Sequence, residues 1–113
     1  MHIHQTIEGD VVVLAISGKF LGGAYHEHFM GRIRSLVTEG HVDVLLDLTK
    51  VQYVDSTGLG SIVSGLTTLK KNSGHLKICS VPDRVDNILE ITKMKLVLET
   101  FDTCEEALAS FRP

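Results

Sequence analysis

The spacing of apolar residues along this chain changes several times, and each change marks an element. His2 to Ile7 alternates weakly, and Glu8-Gly9-Asp10 supplies turn residues, so the first strand hands over to a second. Val11-Val12-Val13-Leu14-Ala15-Ile16 is β-branched and apolar on both faces, the pattern of a strand covered on two sides. Gly18 and Gly22-Gly23 interrupt it. From about Ala24 to Glu39 the period becomes helical, with Phe29, Ile33, Leu36 and Val37 on one face and Gly40 as a stop. A third strand is predicted over Val42–Leu48, with a central place in the sheet. A second amphipathic helix follows, built on Leu59, Ile62, Val63, Leu66 and Leu69 and ending near Asn72-Ser73-Gly74. Leu76–Val81 reads as a fourth strand, Pro82-Asp83 opens a third helix with Val85, Ile88 and Leu89 on one face, and Leu96-Val97-Leu98 reads as a fifth strand. Thr103 to Glu106 forms a capping-box pattern before a last helix that buries Ala107, Leu108 and Phe111.

The order β-β-α-β-α-β-α-β-α predicts an α/β fold, with a mixed, mostly parallel five-stranded sheet and four helices. After the opening hairpin, strands alternating with helices imply parallel neighbours joined by right-handed crossovers, with the first strand antiparallel at an edge. No linker, repeat or low-complexity stretch divides the chain, so residues 1–113 are expected to form one domain.

Composition narrows the class. At 43% hydrophobic and 22% charged the chain is globular in character, and with no Trp its core must be aliphatic. The net charge of −3, with no basic cluster beyond Lys70-Lys71, argues against nucleic acid as a partner. Cys79 and Cys104 have no nearby thiol companion, so Cys79 reads as a small core residue in a protein of a reducing compartment. Met1-His2-Ile3-His4-Gln5 lacks the regions of a signal peptide, and no apolar run approaches the length of a bilayer span. A cytoplasmic protein is expected, without a membrane partner.

In α/β sheets, binding concentrates where strand ends lead into helix N-termini. The most unusual such connection runs from Asp47 to Gly60 and contains Val54-Asp55-Ser56-Thr57-Gly58-Leu59-Gly60. Ser56 stands where an N-cap belongs, three residues before Leu59. A cap alone would explain it. Gly58 and Gly60 suggest more, because each costs roughly 1 kcal/mol against Ala inside a helix. Small residues there leave room for another backbone and keep the helix end sterically open.

The stretch Val44-Leu45-Leu46-Asp47-Leu48 through Asp55-Ser56-Thr57-Gly58-Leu59-Gly60 resembles the signature of the STAS domain. That family includes the anti-sigma factor antagonists and the cytoplasmic tails of sulfate transporters. The resemblance extends to the hairpin, the helix order and Val81-Pro82-Asp83-Arg84-Val85. It implies a partner-switching protein and not an enzyme. Ser56 would be the phosphate acceptor, with Thr57 as the alternative. The partners would be an anti-sigma factor with serine-kinase activity and a serine phosphatase. Asp55, Ser56, Thr57, Gly58, Leu59 and Gly60 would form the partner surface, flanked by Lys19, Phe20 and Leu21. A second possibility is a STAS module that is never phosphorylated and serves a transporter or signalling complex. A free-standing chain beginning at Met1 favours the switch, and an upstream transmembrane region favours the module.

One segment departs from the family. Many relatives carry Gly-Glu-Leu-Asp after the second strand, where this chain has Gly18-Lys19-Phe20-Leu21, which puts the choice of partner and any nucleotide binding in doubt. No cofactor is implied. Neither GxxxxGK[ST], GxGxxG nor GxSxG occurs. His2 and His4 share a strand face, but His26 and His28 do not share a helix face, and neither pair has a third ligand beside it, so surface positions are expected. Tyr53 is expected to pack near the Ser56 connection.

Overall fold

The computed structural model describes residues 1–112. Five strands, β1 (His2–Glu8), β2 (Val11–Phe20), β3 (Asp43–Val54), β4 (His75–Cys79) and β5 (Glu99–Phe101), form one sheet in sequence order. β1 pairs antiparallel with β2 at the edge, and every other pair is parallel, with β3 in the centre. The helices are α1 (Ala24–Thr38), α2 (Ser56–Lys71), α3 (Asp83–Ile91) and α4 (Cys104–Ser110). Because each new strand is added on the same side of the last, crossovers of one hand put α1, α2 and α3 on one face. That leaves the opposite face to α4.

Strand alternation divides the core accordingly. Val12, Leu14, Ile16, Val44, Leu46, Leu48, Leu76 and Ile78 meet Phe29 and Ile33 of α1, Ile62, Leu66 and Leu69 of α2, and Val85 and Leu89 of α3. The Phe20 and Phe29 rings meet edge-on at 5.2 Å within it. On the other face Val11, Leu45 and Cys79 pack against Ala107. Lys77, only 7% exposed, holds α4 down. Its Nζ donates to the Ser110 carbonyl and to Ser110 Oγ, both at 2.9 Å, and lies 4.6 Å from the centre of the Phe111 ring.

Three local expectations change. β3 does not stop at Leu48; it continues to Val54, because β2 also runs on to Phe20 and pairs with it through two register shifts. Val51 and Val54 face the core while Thr49, Lys50, Gln52 and Tyr53 stay exposed. The fifth strand is Glu99–Phe101, not Leu96–Leu98: Met94–Leu96 forms a 3₁₀ turn after Lys93 adopts a left-handed conformation, and only Leu98 turns inward. Finally, Cys79 is fully buried as expected, but its sulfur is bonded to that of Cys104, 25 residues on. The strand and helix that bring these cysteines together, β4 and α4, are remote in the sequence, so spacing gave no sign of the bond.

Gly74 lies where the chain turns from α2 into β4, and a Cβ there would overlap the Val42 carbonyl. Gly31 is the opposite case, inside α1 with open space where a Cβ would go. Gly74→Ala should therefore lower stability by about 1–3 kcal/mol. Gly31→Ala should raise it by about 0.5–1 kcal/mol. Urea denaturation of the two variants checks both signs.

Candidate functional site

A single residue, Asp55, separates the end of β3 from the start of α2. It is the N-cap: its backbone is extended, its carboxylate accepts from the Gly58 N–H at 2.7 Å, and its carbonyl accepts from Leu59 N–H at 2.9 Å. Ser56 is therefore the first residue of the helix and not its cap, as the spacing from Leu59 had suggested. A carboxylate takes the capping bond in preference because it is the stronger acceptor at the positive end of a helix. The Ser56 side chain is exposed and spared that duty.

The first turn of α2 lies hard against the end of β2. The Phe20 carbonyl accepts from the Asp55 N–H at 3.4 Å, and a Cβ on Gly58 would overlap that same carbonyl oxygen. Gly58 is thus required by a close approach of the chain's own backbone. Gly60 is not: it is exposed, with open space where a Cβ would be. Its smallness leaves a low crest on the surface of the helix.

Two concavities flank that crest. On one side Ser56, Leu59, Gly60 and Val63 face Thr92 and Met94 across a groove of about 320 Å³, apolar apart from its hydroxyls. On the other, Thr57, Gly60, Ser61 and Ser64 face Gly23 and His26. The two neighbouring hydroxyl residues thus line different surfaces. Thr57 has its methyl group packed where a Cβ on Gly22 would stand, whereas Ser56 opens onto the groove. The segment forming the far wall carries Ile91 at 80%, Leu96 at 84% and Val97 at 48% exposure, an unusual concentration of apolar surface. Lys95 braces this segment, donating to Asp86 and Glu90 at 3.0 and 2.9 Å; those two bonds, Asp86 first, raise the ammonium above its ordinary pKa.

Of the residues expected at this site, Ser56, Thr57 and Gly60 are exposed and Asp55 is half-buried, while Gly58 and Leu59 lie beneath them. The Lys19-Phe20-Leu21 flank does reach the same end of the sheet, with Lys19 opposite Tyr53 and Phe20 opposite Val54. Phe20, however, is fully buried among core side chains, so Lys19 is the exposed member and Leu21 the half-buried one. Tyr53 is 41% exposed beside Lys19. His26, expected on the open surface, instead places Nδ1 2.6 Å from the Ser61 hydroxyl, which in turn lies 3.2 Å from the Thr57 carbonyl. That contact crosses from α1 to α2, and nothing in the local pattern announced it. The Thr92 and Met94 wall has no local signal either, because the apolar triplet Leu96-Val97-Leu98 beside it reads as a strand.

Comparison with known proteins identifies the family. Residues 2–107 match the STAS domain model. The chain belongs to the STAS domain family. It is 34% identical over 79 residues to the anti-sigma-B factor antagonist of Staphylococcus aureus, an alignment covering 66% of this chain and 73% of that one. The crystal structure of a candidate anti-sigma factor antagonist from Thermotoga maritima superimposes with a TM-score of 0.86 at 24% identity, covering 98% of this chain and 95% of the other. The Bacillus cell fate determinant SpoIIAA in its phosphorylated form gives 0.74 at 15% identity, over 98% and 100%. At such identities the two structures speak for a shared STAS fold. The Staphylococcus relative places the chain with the antagonist type. Among the described residues, no helix of this STAS domain is long and apolar enough to cross a membrane.

The capping arrangement makes a sharp prediction. Asp55→Ala should lower stability by about 1 kcal/mol. Ser56→Ala should stay within about 0.5 kcal/mol of the parent. Thermal and urea unfolding of the pair distinguishes a structural cap from a free surface hydroxyl.

Proposed function

We propose that this STAS domain is a cytoplasmic anti-sigma factor antagonist that docks on an anti-sigma factor with serine-kinase activity and is released when that kinase phosphorylates Ser56. A serine phosphatase would restore the docking form. The observation that carries this reading is the division of labour at the start of α2, where Asp55 caps the helix and Ser56 sits exposed at the mouth of an apolar groove. The family type of the Staphylococcus relative supports it.

The physics of the switch is local. A phosphate on Ser56 brings roughly −1.5 to −2 charge at neutral pH. The free N–H groups and dipole at the N-terminus of α2 favour that charge, so the fold tolerates it. A partner seated on the groove beside Val63 and Met94 would not. It would have to desolvate a dianion beside Asp55, and a contact shaped around a neutral hydroxyl would lose its hydrogen bond as well. Thr57 is the poorer acceptor because its methyl is packed against Gly22 and it faces the other concavity. Lys19, exposed on the neighbouring strand end, supplies a cation where many relatives carry an acid, and would help select the partner.

Incubation with a serine kinase encoded beside this gene, followed by intact-mass measurement, should add one phosphate to the parent and none to Ser56→Ala. A phosphate on both proteins would refute the site. In a binding assay against the same kinase, Ser56→Asp should weaken association by about tenfold or more, ~1.4 kcal/mol, with an unchanged melting temperature. Gly60→Gln, which adds bulk to the crest without touching the core, should weaken it as well. Undiminished binding by both variants would show that the partner docks elsewhere.

A further inference from the structure

Among the described residues, chemically reactive side chains away from Ser56 converge at one other place. Asp47, Cys79 and Cys104 bring a carboxylate oxygen and two sulfurs within 4.8 Å of one another, and the sulfurs are bonded. Asp47 and Cys79 are direct neighbours across β3 and β4, and Phe101 follows on β5. Cys79 is fully buried, whereas Cys104, the first residue of α4, is half-exposed and has the Ser80 hydroxyl 3.8 Å from its sulfur.

The position of this bond matters more than its presence. The loop it closes contains α3, the 3₁₀ turn and β5, so it contains Thr92 and Met94, the far wall of the Ser56 groove, and the exposed Ile91, Leu96 and Val97 near them in sequence. Apart from this bond, the segment is tied to the body by Val85, Leu89 and Leu98 in the core, by Ile88 and Met94 packed against it, and by the three paired residues of β5 at the sheet edge. The Lys95 bonds to Asp86 and Glu90 are internal to the segment. A protein disulfide in a reducing compartment is usually transient and regulatory rather than structural.

We propose that Cys79 and Cys104 form a reversible thiol–disulfide site that sets how firmly the groove wall is held, and through it how well the groove receives a partner. Only that last step rests on the proposed function of Ser56. The co-reactant class is a low-molecular-weight disulfide. The Cys104 thiolate, being the accessible one, attacks one of its sulfurs, breaks its S–S bond and releases a first small thiolate, which takes up the proton Cys104 lost. Cys79, deprotonated in turn, attacks the Cys104 sulfur, breaks the mixed disulfide and expels the second small thiolate, which takes up the proton from Cys79. Two protein thiols and one small disulfide become one protein disulfide and two small thiols, and excess thiol reverses both steps. The Asp47 carboxylate beside both sulfurs opposes formation of either thiolate by like charge, and so slows exchange.

Equilibration of the full chain in glutathione buffers of graded ratio, with acid quench, alkylation and intact mass, should show one reversible two-thiol transition. Cys79→Ala should accumulate a mixed disulfide with glutathione at Cys104, Cys104→Ala should accumulate none at Cys79, and Asp47→Asn should exchange several-fold faster. Amides of residues 83–101 should exchange hydrogen at least tenfold faster in the reduced protein, with α1 unchanged. A bond that never forms in oxidised glutathione, one that survives a strong reductant in the folded protein, or equal amide exchange in both states would overturn the proposal. So would equimolar zinc that binds the reduced pair tightly and blocks reoxidation, which would make the cluster a metal site. None of these readouts needs a partner, so a failure of the Ser56 reading alone would leave them standing. If they hold and partner affinity is identical in both redox states, the link from wall to docking is refuted.

Discussion

The first turn of α2 can reach the end of β2 only because Gly58 has no side chain, and the rest of the site follows from that contact. The Phe20 carbonyl occupies the space a Cβ would need and accepts the Asp55 N–H, so the strand end and the helix start are fixed to each other. With the backbone held there, Asp55 turns its carboxylate back onto the Gly58 N–H and closes the helix end. Ser56 is then carried outward one residue later, onto a surface that it does not help to build. Rigid support beneath and chemical freedom above are the two properties a modification site needs, and here one glycine secures both.

The layer arrangement extends this logic. Sequential strand order gathers α1, α2 and α3 on one face, which places Ser56 between two neighbouring helical elements. Toward α1 the surface is polar and tied by His26 and Ser61. Toward α3 it is apolar and ends in exposed Ile91, Leu96 and Val97. In the proposed switch, a partner reading Ser56 from the α3 side would gain buried apolar area, and a phosphate at its edge would act where desolvation is most costly. The opposite face is held by α4 through Lys77 and the Cys79–Cys104 bond.

Much of this was legible in the residues. The helical spacing of Phe29, Ile33 and Leu36 and the β-branched run Val11–Ile16 identified α1 and β2, and Thr103 was read correctly as the cap of α4, where it accepts from the Glu106 N–H at 3.1 Å. What failed depended on partners remote in sequence. Thr49 to Tyr53 looks polar and loop-like, yet it becomes strand because β2 extends alongside it, and only the inward Val51 and Val54 hinted at this. Leu96-Val97 looks like a buried strand and is instead exposed, since local apolarity cannot tell a core face from a surface one. At the site, spacing placed a cap within one residue of its true position, but choosing between Asp55 and Ser56 needed the geometry of the strand end. The pairing of Cys79 with Cys104 and of His26 with Ser61 each joins elements that the chain brings together only on folding.

The central claim, that the Ser56 hydroxyl belongs to the surface and not to the fold, is tested most directly by amide NMR spectra and thermal unfolding of the protein before and after stoichiometric phosphorylation of Ser56. The account predicts shift changes confined to Asp55–Gly60, Lys19–Leu21 and Thr92–Leu96, with the melting temperature preserved. Shifts that spread through β3 and β4 together with a marked fall in melting temperature would contradict it.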